Sequence, residues 1–207
     1  KEKNKASYGL VDKETVKMIE GDIFNNFKIT DAIYELKDID LLIPCLPTKI
    51  ICVGLNYRPH ADEMGHDIPK EPLIFLKPLT SALAHKGEII MPKMSKRVDY
   101  EAELAIVIGK KGHNLKIEES GDYIFGVTCF NDVTARDLQE KDGQWTRAKS
   151  FDSFAPFGPC IARDLDYDNL SIELIQNGEI KQKSHTSDFI FTSKSLVSFI
   201  SQIMTLY

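Results

Sequence analysis

Apolar and polar positions along the 207-residue chain change character at Pro47. Before it the signals are short: Thr15-Val16-Lys17-Met18-Ile19 reads as a strand, Gly21-Asp22 as a turn, Ile29 to Leu36 as a short helix, and Leu41-Leu42-Ile43-Pro44 follows. Pro44 and Pro47 punctuate the end of this stretch, because proline has no N–H to donate and restricts the residue before it. A small N-terminal domain over residues 1–47 is expected, with a second domain over 48–207. Beyond Pro47 the pattern is β-rich. Lys49 to Val53, Leu73 to Leu76, Glu88 to Met91, Tyr100 to Ile108, Tyr123 to Phe130 and Ile172 to Ile175 are the apolar strand candidates. Asn177-Gly178, between Ser171-to-Gln176 and Glu179-to-Gln182, is a hairpin signal, since a type I′ turn needs positive φ at both centres. Leu196, Phe199, Ile200, Ile203 and Met204 follow helical spacing, with Ser193 or Ser195 as the N-cap. Strands outnumber helices and do not alternate with them regularly. The predicted class is therefore mainly β with α (α+β), on antiparallel or mixed sheets rather than a doubly wound one.

Composition narrows the partners. An apolar fraction of 43% with 28% charged residues is that of an ordinary soluble domain. The net charge of −5 argues against nucleic acid, which needs clustered Lys and Arg; Lys1-Glu2-Lys3-Asn4-Lys5 is short, mixed and read as a solvated tail. No window approaches the roughly 18 to 20 consecutive apolar residues of a membrane span, and no apolar signal core opens the chain. A cytoplasmic protein is expected. Cys45, Cys52, Cys129 and Cys160 show no Cys-x-x-Cys spacing and are read as reduced core thiols.

The chemistry concentrates in acids. In Asp99-Tyr100-Glu101-Ala102-Glu103-Leu104-Ala105-Ile106 strand alternation puts Asp99, Glu101 and Glu103 on one face and Tyr100, Ala102, Leu104 and Ile106 on the other. Successive acids then stand roughly 7 Å apart at the backbone and can converge on one cation. The bland alternative is a wet edge strand whose acids resist edge-to-edge pairing. Asp132, closing Tyr123 to Asp132, suits either a third ligand or a helix N-cap. An all-oxygen set of this kind matches Mg²⁺, Mn²⁺ or Ca²⁺ rather than Zn²⁺. If a helix starts at Pro59, His60 and Glu63 share a face and can act as a base with its orienting acid; a surface histidine beside an acid is the alternative. Gly54 and Gly65 bracket that stretch and would allow a mobile lid. Lys149 lies between Trp145 and Phe151, which either shields its amine in a partly dry pocket or leaves it at the surface, and Gln139 is uninformative alone.

Taken in order, Gly54-Leu55-Asn56-Tyr57 with His60-Ala61-Asp62-Glu63, Phe75-Leu76-Lys77-Pro78, Asp99-Tyr100-Glu101-Ala102-Glu103-Leu104, Asn131-Asp132-Val133-Thr134-Ala135-Arg136-Asp137 and Ala148-Lys149-Ser150-Phe151-Asp152 resemble the fumarylacetoacetate hydrolase family. The match runs from about Lys49 to Leu206. By that resemblance the fold is a mixed β-sheet roll behind a small N-terminal domain, usually a homodimer. Glu101, Glu103 and Asp132 carry over as ligands of Mg²⁺ or Mn²⁺, and His60 and Glu63 as the acid/base pair on a lid. Lys149 and Gln139 carry over as contacts to the substrate's oxo group and enolate side. The resemblance implies a small 2-oxo or 2-hydroxy-dienoic acid substrate, chelated so that developing enolate charge faces the cation. The implied reaction is C–C hydrolysis, decarboxylation or keto-enol isomerisation. A non-catalytic member that binds metal and 2-oxo acids without turnover is the alternative. A two-carboxylate glycosidase fits poorly, because acids adjacent on one strand do not flank a scissile bond. Relatives continue past the helix at 193 to 206 into a Gly-Asp turn and a Thr-Gly-Thr-Pro-type segment that this chain lacks, so it reads as a fragment missing its C-terminal part.

Overall fold

The computed structural model describes residues 6–59 and 67–207. Contacts divide the chain into two compact units, Lys1–Leu42 and Ile43–Tyr207. In the first, β1 (Tyr8–Asp12), β2 (Thr15–Gly21) and β3 (Phe27–Glu35) form an antiparallel sheet in that order. The helix expected over Ile29 to Leu36 is thus a strand. Ile29, Thr30, Ile33 and Tyr34 are β-branched or aromatic, and pairing with β2 (Val16 opposite Tyr34, Lys17 opposite Ile33) overrides the helical spacing, leaving one 3₁₀ turn at Leu36–Asp38.

The second unit opens with β4 (Ile50–Val53), antiparallel to β5 (Ile74–Lys77). There follow β6 (Ala82–Leu83), β7 (Val98–Asp99), β8 (Ala102–Ile108), the single-turn helix α1 (Ile117–Ser120), β9 (Ile124–Asn131) and β10 (Thr134–Ala135). Helices α2 (Arg136–Asp142) and α3 (Thr146–Lys149) lead to β11 (Ala155–Ala162), β12 (Ser171–Gln176), β13 (Glu179–His185) and α4 (Ser193–Ile203). The largest sheet, in order β6-β11-β9-β8, is mixed: β6 and β11 run parallel and the other pairs antiparallel. Mainly β with short helices is therefore the observed class, as the apolar spacing predicts.

Two local expectations need correction. Glu88 to Met91 forms no strand: Ile90 is 66% exposed, and its N–H donates to the Ser153 hydroxyl at 2.9 Å instead of to a ladder. Helix α4 is capped by Thr192, whose hydroxyl accepts from the Ser195 N–H at 3.3 Å, not by Ser193 or Ser195. The Asn177-Gly178 hairpin has φ of 53° and 81°, both positive as a type I′ turn requires.

Two apolar clusters hold the site's elements. Leu115, Val197 and Leu206 are buried together, with Ile51, Ile106, Ile108 and Ile200 packed on them, so the even-numbered face of β8 is tied to α4. Val133, Ala135, Leu138, Ala148 and Phe154 form the other, which joins β10 to α2, α3 and the start of β11. The cysteines are all free, as expected, but Cys129 and Cys160 are exposed rather than in the core. No helix among the described residues is long and apolar enough to cross a membrane.

Candidate active site

The ladder between β8 and β9 brings the acids together. Ala102 stands opposite Asn131 and Glu103 opposite Phe130, and one step further the Asp132 N–H donates to the Glu101 carbonyl at 2.9 Å. Directly opposed residues of an antiparallel pair share a face, and so do alternate residues of one strand. Glu101 and Asp132, each one residue beyond its strand, continue the register through this bond, so with Glu103 they lie on one face, opposite to Ile106 and its apolar cluster. Asp132 caps no helix, since α2 begins only at Arg136.

Like charges opposed across a ladder repel, and three cations offset this. Lys149 ends α3, is only 2% exposed, and its Nζ donates at 2.8 Å to both Glu101 Oε2 and Asp132 Oδ2. It also stands 5.0 Å from the centre of the Phe75 ring, which forms a T-shaped pair with Trp145 at a centroid separation of 5.3 Å. The surface-lysine alternative is thereby excluded. Gly54 completes this wall, because a Cβ there would come within 2.6 Å of the Trp145 ring. Lys77, ending β5, is as deeply buried and donates to Asp132 Oδ1 at 2.5 Å and to the Val133 carbonyl at 3.1 Å. Arg136, opening α2, contacts Glu101 Oε1 at 2.5 Å, Asp99 Oδ2 at 3.2 Å and, as donor, Gln139 Oε1 at 2.9 Å. Gln139 thus sits one helical turn from Arg136 with its oxygen engaged.

Glu103 differs from its neighbours. Among the described residues no side chain hydrogen-bonds or ion-pairs with its carboxyl, which burial, aided by the charges of Glu101 and Asp132, pushes up to about 8. Burial also works to raise Glu101, but Lys149 and Arg136 hold it below the usual carboxylate range. At Asp132 burial raises the carboxyl against the downward pull of Lys77 and Lys149. Burial lowers the Lys77 ammonium, with Asp132 resisting.

These residues suit a hard divalent cation in donor type: three carboxyl groups on one face, one of which, Glu103, has no hydrogen-bonding or ion-pairing side chain among the described residues and is pushed up first by burial and then by its neighbours' charge. Among the described residues no three such side chains stand close enough to cage an ion as placed, since the Lys149 ammonium lies between Glu101 and Asp132. A cation would take over oxygens that Lys149 now holds.

His60, Glu63 and Gly65 lie outside the described residues, and the helix expected from Pro59 would extend into that segment. The stretch leading to them is firmly anchored. Asn56 accepts from the Phe191 N–H at 2.8 Å and donates to the Phe191 carbonyl at 3.1 Å, while its own carbonyl receives the Ile190 N–H at 2.8 Å. Next to it the Tyr57 ring packs edge-on to Phe189 at 5.0 Å.

Sequence reasoning gave no role to Lys77, Arg136 or Thr134, whose hydroxyl lies 3.2 Å from Glu101 Oε1. The signals for Lys77 are a lysine closing the apolar strand Ile74-Phe75-Leu76 and its place in the Phe75-Leu76-Lys77-Pro78 motif.

Residues 49–207 match the model of the fumarylacetoacetate hydrolase C-terminal domain, and residues 1–44 that of an Rv2993c-like N-terminal domain. An uncharacterized protein of Methanocaldococcus jannaschii is 62% identical over 78% of this chain and 68% of its own length. The mitochondrial oxaloacetate tautomerase of Rattus norvegicus is 44% identical over 78% of this chain, which spans 53% of that protein. The crystal structure of 2-hydroxyhepta-2,4-diene-1,7-dioate isomerase from Mycobacterium marinum superposes with a TM-score of 0.85 at 40% identity, covering 93% of this chain and 72% of the other.

Proposed function

Because the chain belongs to the fumarylacetoacetate hydrolase family, we propose that it is a divalent-metal-dependent enzyme that shifts a proton on a small 2-oxo or 2-hydroxy-dienoic acid, interconverting keto and enol forms. The observation that carries this reading is the Glu103 carboxyl, which no side chain among the described residues bonds, beside Glu101 and Asp132. Buried acids of like charge are costly unless something cationic binds them. Glu101, Glu103 and Asp132 would hold Mg²⁺ or Mn²⁺, which when bound supplies a Lewis acid. The names of the rat and mycobacterial relatives, a tautomerase and an isomerase, support the choice of proton transfer over bond cleavage.

The chain's own groups have separable tasks in this scheme. Lys149, once released from Glu101 and Asp132, keeps a donor at the edge of the acid cluster, where it can neutralise a substrate carboxylate or oxo oxygen. Trp145 and Phe75 shield it from water, which strengthens that interaction. His60 and Glu63 form the acid/base pair that moves the proton between carbon and oxygen. Arg136 keeps Glu101 ionised and turned toward the cluster.

The test follows the ultraviolet absorbance of enol oxaloacetate and of an acylpyruvate with Mg²⁺ or Mn²⁺, then with EDTA, in the native chain and in Glu101→Gln. Metal-dependent loss of the enol signal that Glu101→Gln abolishes is expected. Binding of oxalate or pyruvate without turnover would overturn the enzymatic reading in favour of a ligand-binding protein. Loss of substrate carbon rather than proton exchange would replace isomerisation by hydrolysis or decarboxylation.

A further inference from the structure

Asp132 carries two ammonium groups, and they are attached to the fold in different ways. Among the described residues, the hydrogen bonds of Lys149 Nζ go to carboxylate oxygens, Glu101 Oε2 and Asp132 Oδ2, and it comes from the last residue of a four-residue helix. Lys77 Nζ instead spans the Asp132 carboxylate and the carbonyl of the next residue, Val133. A donor that grips a side chain and the peptide beside it locks the rotation of that side chain relative to its own backbone. Both ends of the grip are fixed: Lys77 is set opposite Ile50 by the β4–β5 ladder, and Val133 is buried with Ala135, Leu138, Ala148 and Phe154.

Resting on the cation-site reading above, we propose that Lys77 is a positioning residue for Asp132. It retains Oδ1 while Oδ2, the oxygen shared with Lys149, is presented toward Glu101 and Glu103. The two lysines thus divide the carboxylate between a permanent partner and an exchangeable one. A fully buried lysine is expensive to place unless it is bonded in this way, and here both of its contacts go to one two-residue segment.

Two roles for Lys77 predict opposite signs. A mere counter-ion lowers the affinity of the site for a cation, so its neutral replacement should tighten binding. A positioning residue raises affinity, and losing such an outer partner typically weakens a metal site by roughly 10- to 100-fold. Mn²⁺ binding to the full chain is measured by titration calorimetry and by electron paramagnetic resonance, for the native protein, Lys77→Met and Glu103→Gln. Native protein that binds one Mn²⁺, Glu103→Gln that fails to, and Lys77→Met that stays folded by circular dichroism but binds at least about tenfold more weakly with a broadened Mn²⁺ spectrum, is the expected result. Equal or tighter binding by Lys77→Met overturns the assignment and leaves the cation site standing. No Mn²⁺ binding by native protein overturns both. Should Lys77→Met not fold, the native chain decides: with ¹⁵N-labelled lysine, the slowly exchanging Lys77 ammonium signal should persist on adding Mg²⁺ while that of Lys149 moves. Loss of the Lys77 signal on Mg²⁺ addition refutes the proposal.

Discussion

Replacing Glu103 with glutamine should stabilise the metal-free protein, and only above acidic pH. Its carboxyl is pushed up to about 8 in the folded chain, against 4.5 for an ordinary glutamate, by burial and by the neighbouring charges of Glu101 and Asp132. Between those two pH values the folded chain keeps a proton that the unfolded chain has released. Stability therefore falls as pH rises through this window, by at most about 1.4 kcal/mol per pH unit and about 5 kcal/mol across it. Glu103 keeps partial contact with solvent, which screens the interaction, so about 2–3 kcal/mol is the working figure. Glutamine has nothing to ionise. In EDTA, Glu103→Gln should match native stability near pH 4.5 and exceed it by about 2–3 kcal/mol at pH 8, or roughly 4–12 °C in Tm for a domain of this size. Urea denaturation at a series of pH values measures the difference directly. Parallel stability curves, or a variant that loses ground as pH rises, would refute the electrostatic account of Glu103.

Three further outcomes follow from the same geometry. Saturating Mg²⁺ or Mn²⁺, at about 100 times its Kd, should raise native stability by about 2.7 kcal/mol relative to EDTA. Glu101→Gln should show no such rise, and a thermal melt with and without metal reads both. Asn56→Ala removes both side-chain hydrogen bonds to Phe191 and leaves a partly buried N–H and carbonyl short of partners, a loss of about 2–3 kcal/mol by chemical denaturation. An unchanged midpoint would show that this clasp adds nothing to the fold. Phe154→Ala empties a fully buried ring position in the cluster with Val133 and Leu138, at a cost of about 3–5 kcal/mol; a smaller effect would mean that the cluster collapses into the space.

Period-two alternation reads Asp99 to Ile106 as one strand, but the structure breaks it at Tyr100-Glu101. Asp99 belongs to β7, paired with β10, and β8 begins at Ala102, so Glu101 is set beside Glu103 by the continuation of the ladder to Asp132 and not by alternation alone. Asp132 could not be added from spacing, since a residue ending one strand meets another only through the register of their ladder. The family resemblance supplied it, and the Asp132–Glu101 backbone bond shows why it belongs there. Lys77 escaped for a related reason: a lysine closing an apolar strand looks the same whether its ammonium is wet or buried. Over residues 29–36, Ile29, Ile33 and Leu36 also fit helical spacing, and only pairing with β2 decides for the strand. The run at Glu88 to Met91 differs in the opposite direction, having strand composition but pairing with no strand among the described residues.

The span of the site's ion pairs has a consequence for how the protein folds. Lys77 reaches Asp132 across 55 residues and Lys149 reaches Glu101 across 48. Closing loops of that length is an entropic barrier that the contacts repay only after β5, β8, β9 and α3 have found one another. Glu101 and Glu103 are neighbours along the chain from the start, but Asp132 meets them only when β9 pairs with β8, and the Lys77–Asp132 and Lys149–Glu101 contacts close longer loops still. Interactions formed after the rate-limiting step act on unfolding alone. A cation that binds only the completed site would accordingly slow the chain's escape from the native state and leave its rate of folding untouched.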